Sequence, residues 1–220
     1  MNFAERLIGL YLRLNGFFLM PEFTTFSTGL ENKGHAHVDL IGFRAKGSFE
    51  EHEHVIFPVD SQLFGIFKAF CEDDPFNSNI AVICEVRTNY DGVFPELNRR
   101  QYAARMCGIN VIPMCCDRSV DEVQHDRRLK GIRVGLARSM RWIAARIKWL
   151  HNEGIHKSES WNWSEPALAD FLVLNQLSPI DCEKELKTAL VQPPRPAKEI
   201  AVSSTDHISH IEFSRAKRSD

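Results

Sequence analysis

One stretch constrains this chain more than any other: Ile80-Ala81-Val82-Ile83-Cys84-Glu85-Val86-Arg87. A short, nearly continuous apolar run rich in β-branched residues predicts a strand buried on both faces, which only a sheet with covered faces can accommodate. Successive side chains of a strand point to opposite sides, so Ile83, Glu85 and Arg87 share one face and Val82, Cys84 and Val86 the other. An acid and a base therefore leave the core together at the end of the strand. Two readings follow, a surface ion pair where the strand reaches solvent and a functional site built at its end.

The stretches around it predict an alternation of elements. Residues 2–14 place Phe3, Leu7, Leu10, Tyr11 and Leu14 on one helical face, widened by Ile8 and Leu12, with Glu5 at the border of that face. The border position suits a site acid at the sheet edge, and equally a solvated first-turn acid favoured by the helix dipole. Asn15-Gly16 ends the helix, and a strand follows from Phe17 to Phe26 in which Pro21 marks an edge, a bulge or a break. His35-Ala36-His37-Val38-Asp39-Leu40-Ile41-Gly42-Phe43-Arg44 predicts a second strand, with His35, His37 and Asp39 on one face. An insertion containing a short helix over 59–71 comes next, and Asp60 fits the N-cap of that helix better than it fits a site. Beyond Arg87 the pattern predicts a helix over 97–107, stopped by Gly108, and a strand over 110–116.

Helix with an acid, strand, strand with Asp39, strand ending Glu85-Val86-Arg87, helix, strand: this order resembles the PD-(D/E)XK nuclease superfamily. The resemblance covers roughly the first half of the chain and departs from the motif twice, since no Pro precedes Asp39 and Arg87 stands where Lys is usual. It implies an α/β fold with a mixed central sheet flanked by helices, a restriction-endonuclease-like core. It also implies a metal-dependent nuclease in which Asp39 and Glu85 hold magnesium, or manganese as a substitute. Glu5 would stand in for the acid some members carry on the first helix, and Arg87 would orient the attacking water. In such a core the helix after the active-site strand contributes polar groups to substrate phosphates, which points to Gln101.

Composition bounds these expectations. With 220 residues and 44% hydrophobic content the chain buries a full core. The formal charge of −2 puts any nucleic-acid role on local patches and not on the average surface. No apolar run approaches a membrane span, and Glu5, Arg6 and Arg13 interrupt the N-terminal stretch, so a soluble, cytoplasmic protein is expected. The six cysteines show no C-x-x-C spacing, which favours reduced, buried thiols.

The second half predicts helices. Ser119-Val120-Asp121-Glu122 fits a capping box opening a long helical segment, which carries Arg138, Arg141 and Lys148 with Trp142 and Trp149 interleaved. That surface suits a nucleic-acid backbone, DNA in preference to RNA, while the apolar stripe suits the core. Further helices are expected from Ala167 to Leu177 and from Asp181 to Leu190. The domain reading is therefore a nuclease-like core over 1–118, a helical extension over 119–191, and a linker and flexible tail over 192–220, where Ile208 to Phe213 fits an edge strand in a homo-oligomer. Two alternatives to the nuclease stand: a catalytically inactive protein of the same fold that binds nucleic acid or a protein partner, and a hydrolase whose metal is held by His35, His37 and later ligands.

Overall fold

A computed structural model of the chain describes residues 2–26, 35–52, 54–86, 111–155 and 166–195. The first helix, α1 (Phe3–Leu14), begins where Asn2 and Glu5 close a reciprocal capping box: the Glu5 N–H donates to Asn2 Oδ1 at 3.0 Å and the Asn2 N–H to Glu5 Oε2 at 2.8 Å. Leu7, Ile8, Leu10, Tyr11 and Leu12 form its buried face, whereas Phe3 at its first position stays 39% exposed. Gly16 takes the left-handed conformation (φ 84°) that turns the chain into the sheet.

The central sheet has six strands: β1 (Phe18–Phe26), β2 (His35–Arg44), β6 (Ile80–Val86), β7 (Val111–Asp117), β8 (Val123–Asp126) and β9 (Gly131–Gly135), in the order β1-β2-β6-β7-β9-β8. The pairs β1–β2, β2–β6 and β8–β9 are antiparallel, and β6–β7 and β7–β9 are parallel. Pro21 lies in β1, at the sheet edge, where a missing N–H is tolerated. Between β2 and β6 run two short strands, β3 (Glu51–His52) and β4 (Val55–Ile56), then β5 (Val59–Asp60) and α2 (Ser61–Phe67). The molecule is a mixed α/β protein, its mixed sheet flanked by helices.

Residues 119–135 correct the helical expectation. They form β8 and β9, and the helix expected from Ser119 is α3 (Leu136–Asn152), beginning only after Gly135. The apparent capping Ser119 instead donates both its N–H (2.7 Å) and its Oγ (2.6 Å) to Asp117 Oδ1, a tight local turn. The region is therefore not a helical extension set on a finished core, because β9 pairs directly with β7 and widens the same sheet. Two further helices, α4 (Pro166–Leu177) and α5 (Glu183–Thr188), precede β10 (Leu190–Val191), which returns to pair with β5.

One face of the sheet packs Leu40, Val82, Cys84, Met114, Ile132 and Val134 against the helices in the main core. Trp142 of α3 is fully buried there, edge-on to Tyr11 of α1 with ring centroids 5.3 Å apart, and its indole N–H donates to the Ala189 carbonyl at 3.1 Å. A smaller cluster of Val38, Ile83, Val111, Cys115 and Leu129 accompanies the alternate residues of the central strands.

Candidate active site

Asp39 and Glu85 come together because β2 and β6 run antiparallel in a register that pairs Leu40 with Cys84 and Ile41 with Ile83. Leu40 and Cys84 are the last pair of that register, and Asp39 and Glu85 are the next residue of each strand beyond it. The carboxylate of Asp39 is fixed at this point: its Oδ2 accepts the backbone N–H of Val86, the residue after Glu85, at 2.8 Å. Glu85 is almost fully buried, 2% exposed, although it stands at the strand end. This rules out a simple solvated surface acid. Burial holds the Cys84 thiol well above its ordinary value, with Cys116, Cys115 and the Asp39 charge adding to the effect.

The same register extends across the sheet. Glu85 lies beside Cys115 of β7, and Cys115 beside Arg133 of β9. Arg133 donates to Asp126 at 2.6 Å and lies 3.9 Å from Asp117. Local pattern does not reveal this cluster, because Ser119-Val120-Asp121-Glu122 predicts a helix that would run across β9; the alternation in Gly131-Ile132-Arg133-Val134-Gly135 is the signal available.

Arg87 and Gln101 lie outside the described residues. Glu5 is engaged in the capping box at the start of α1, the role of an ordinary first-turn acid. The expected basic surface on α3 is corrected at Arg138. Arg138 is 2% exposed and gives Nη2 to both oxygens of Asp60, each at 3.0 Å, so no phosphate reaches it. Arg141 donates Nε to Glu185 at 2.8 Å and Nη2 to Asp121 at 2.7 Å. Lys148 is ion-paired with Glu183, and the buried Arg146 with Glu50. These cations are consumed by acids from the insertion, the β7–β8 turn and α5, elements whose proximity sequence spacing does not reveal.

Asp60 is the N-cap of α2, accepting the Gln62 N–H at 2.9 Å, and the hydroxyl of Tyr11 donates to its second oxygen at 2.8 Å. It belongs to a structural network joining α1, α2 and α3.

No protein-family model, curated protein sequence or solved structure matches this chain. The site is therefore read from its own chemistry. Two adjacent carboxylates offer hard oxygen donors, and magnesium is commonly bound by one or two carboxylates together with waters and substrate phosphates. Asp39 and Glu85 are carboxylates of that kind on neighbouring strands. Among the described residues no group of three or more His, Cys, Asp or Glu forms a metal-ligand set. The side chains of His35 and His37, on which a His-ligated metal would depend, lie outside the described residues.

Proposed function

We propose that the chain is a metal-dependent nuclease of PD-(D/E)XK type with a restriction-endonuclease-like core, hydrolysing phosphodiester bonds in nucleic acid, DNA in preference to RNA. The observation that carries this reading is that Asp39 and Glu85 stand on adjacent strands, each next beyond the Leu40–Cys84 pair, with the Asp39 carboxylate accepting the Val86 N–H. The order α1, β1, β2, β6 and then a parallel β7 supports it, since the resemblance implies the same succession.

Asp39 and Glu85 would hold the magnesium, which when bound acidifies a water for attack on phosphorus. The protein's own contributions are positional. The Val86 N–H orients Asp39, and burial on a central strand restrains Glu85, so both carboxylates are set before substrate arrives. Arg87, two residues after Glu85, would steady the attacking water and offset charge developing on the phosphoryl oxygens. It acts by charge and hydrogen bonding, because a guanidinium does not give up its proton in proteins.

Labelled single-stranded and duplex DNA and RNA, incubated with magnesium, with manganese and with chelator, test the reading. Metal-dependent cutting is expected, with Asp39→Asn and Glu85→Gln each lowering it at least about a hundredfold. Asp39→Asn keeps an oxygen for the Val86 N–H, so loss of activity in that variant reports on charge and not on folding. Cutting that survives both substitutions would sink the proposal. A specific observation favours a second reading, a catalytically inactive binder of the same fold: Arg87 stands where the motif carries Lys. Nucleic-acid binding without cleavage, indifferent to metal, is its expected signature.

A further inference from the structure

Among the described residues, four buried or half-buried arginines are each matched by an acid. Arg138 meets Asp60, Arg146 meets Glu50, Arg133 meets Asp126, and Arg141 meets Glu185. Arg44, at the end of β2, departs from that pattern. It is 1% exposed and donates Nη1 to the Pro75 carbonyl at 3.4 Å and Nη2 to the Ser48 carbonyl. Its guanidinium also lies 4.9 Å from the Phe64 ring centroid and 5.6 Å from that of Phe76. Among the described residues its Nε and the neighbouring Ser48 hydroxyl have no hydrogen-bond partner. Burial lowers the Arg44 pKa to about 10, with no carboxylate among the described residues offsetting the shift.

A buried cation with only neutral partners is costly unless an anion completes it. Arg44 lies at the floor of a cleft of about 230 Å³ lined also by Ser48, Phe49, Phe76, Pro193 and Arg195, with no acid among its described lining residues. Arg195 stands at the rim with its side chain 61% exposed, donating to the His54 carbonyl and only loosely facing Glu51 at 3.9 Å. Arg44 supplies a fixed charge beneath a low-dielectric floor, where it is weakly screened, and Arg195 supplies exposed N–H groups for direct contact. The aromatic and prolyl walls suit an attached organic group.

We infer that this cleft is an oxyanion site for the phosphate group of a small phosphomonoester, held between the Arg195 guanidinium and the buried charge of Arg44. Arg44 pairs with Ile80 at the start of β6, five residues along β2 from Asp39, about 17 Å at the rise of a strand. The inference thus goes beyond the nuclease reading and stands without it.

The test is titration of the full chain with inorganic phosphate, with acetate and with chloride at constant ionic strength. The readouts are the Arg44 Nε–Hε resonance, identified by its loss in Arg44→Lys, and the thermal midpoint. Phosphate is expected to shift the resonance and raise the midpoint saturably, with a Kd on the order of 1 mM. Arg195→Glu, an exposed substitution that leaves the core untouched, is expected to weaken binding at least about tenfold. Asp39→Asn is expected to leave binding unchanged, which separates this site from the catalytic proposal. An equal response to acetate or chloride, saturation absent up to about 100 mM phosphate, or a response unaltered by Arg195→Glu would overturn the assignment.

Discussion

The buried ion pair between Asp60 and Arg138 shows what individual residues contribute. Asp60 collects the Arg138 guanidinium, the Tyr11 hydroxyl and the Gln62 N–H, while its own backbone N–H goes to Asn15 at 2.7 Å. Removing one partner of such a pair leaves a charge buried without compensation, so Arg138→Met is expected to cost about 3–5 kcal/mol. Tyr11→Phe removes a single hydrogen bond to a charged group and is expected to cost about 1.5–3 kcal/mol. Urea unfolding of the two variants checks the order, and near-equal losses would show that Arg138 contributes little beyond one hydrogen bond. Asp60 as an N-cap was legible, because capping depends on neighbours two or three residues away. Its partners Tyr11 and Arg138 lie 49 and 78 positions off in sequence and become neighbours only when α1 and α3 pack on one face. For the same reason Arg138, Arg141 and Lys148 were misread as a phosphate-binding surface: their charge was visible and the acids that consume it were not.

Among the elements, β9 is the one decided by steric fit. A Cβ on Gly131 would fall 2.1 Å from the Pro113 carbonyl oxygen, and one on Gly135 would fall 2.1 Å from that of Val120. Both obstacles are backbone, so neither can swing aside. Gly131→Ala and Gly135→Ala are each expected to destabilise the protein by more than about 3 kcal/mol. Gly65 is the control: it lies exposed in α2 with open space where a Cβ would stand, and Gly65→Ala is expected to stabilise by about 0.5–1 kcal/mol. Denaturant midpoints of the three variants decide the matter, and a mild effect at Gly131 or Gly135 would mean that the β7–β9 and β9 turn packing is looser than described. The strands carrying Asp39 and Glu85 were readable from apolar runs, as was Pro21 at an edge. The β8–β9 pair was not, because Ser119-Val120-Asp121-Glu122 offers the local pattern of a helix start and only pairing with β7 outweighs it.

At the scale of the whole molecule, burial sets the response to alkali. It raises the thiols of Cys84 and Cys116 well above their ordinary value of 9.0, and the Tyr11 phenol well above 10.0. The folded chain therefore keeps these protons at pH values where the unfolded chain has lost them. Their stabilising contribution is complete below the unfolded values and is lost as pH rises toward the folded ones. Under reducing conditions the urea midpoint is expected to fall between about pH 8 and about pH 10, and to fall less in Cys84→Ala. An equal fall in that variant would place the alkaline sensitivity elsewhere. None of the described helices is long and apolar enough to cross a membrane. By itself the sequence determined the α/β class, most strands and helices of the first half, and the two acids worth watching, because hydrophobic period, caps and turn residues act over a few positions. Only the tertiary structure decided that Asp39 and Glu85 stand on adjacent strands, that β9 extends the sheet, that Arg138, Arg141 and Lys148 pair with acids, and that Arg44 is buried without an acid among the described residues. Each of those depends on which distant segments share a register or a face, and strand pairing and core packing set that, not local pattern.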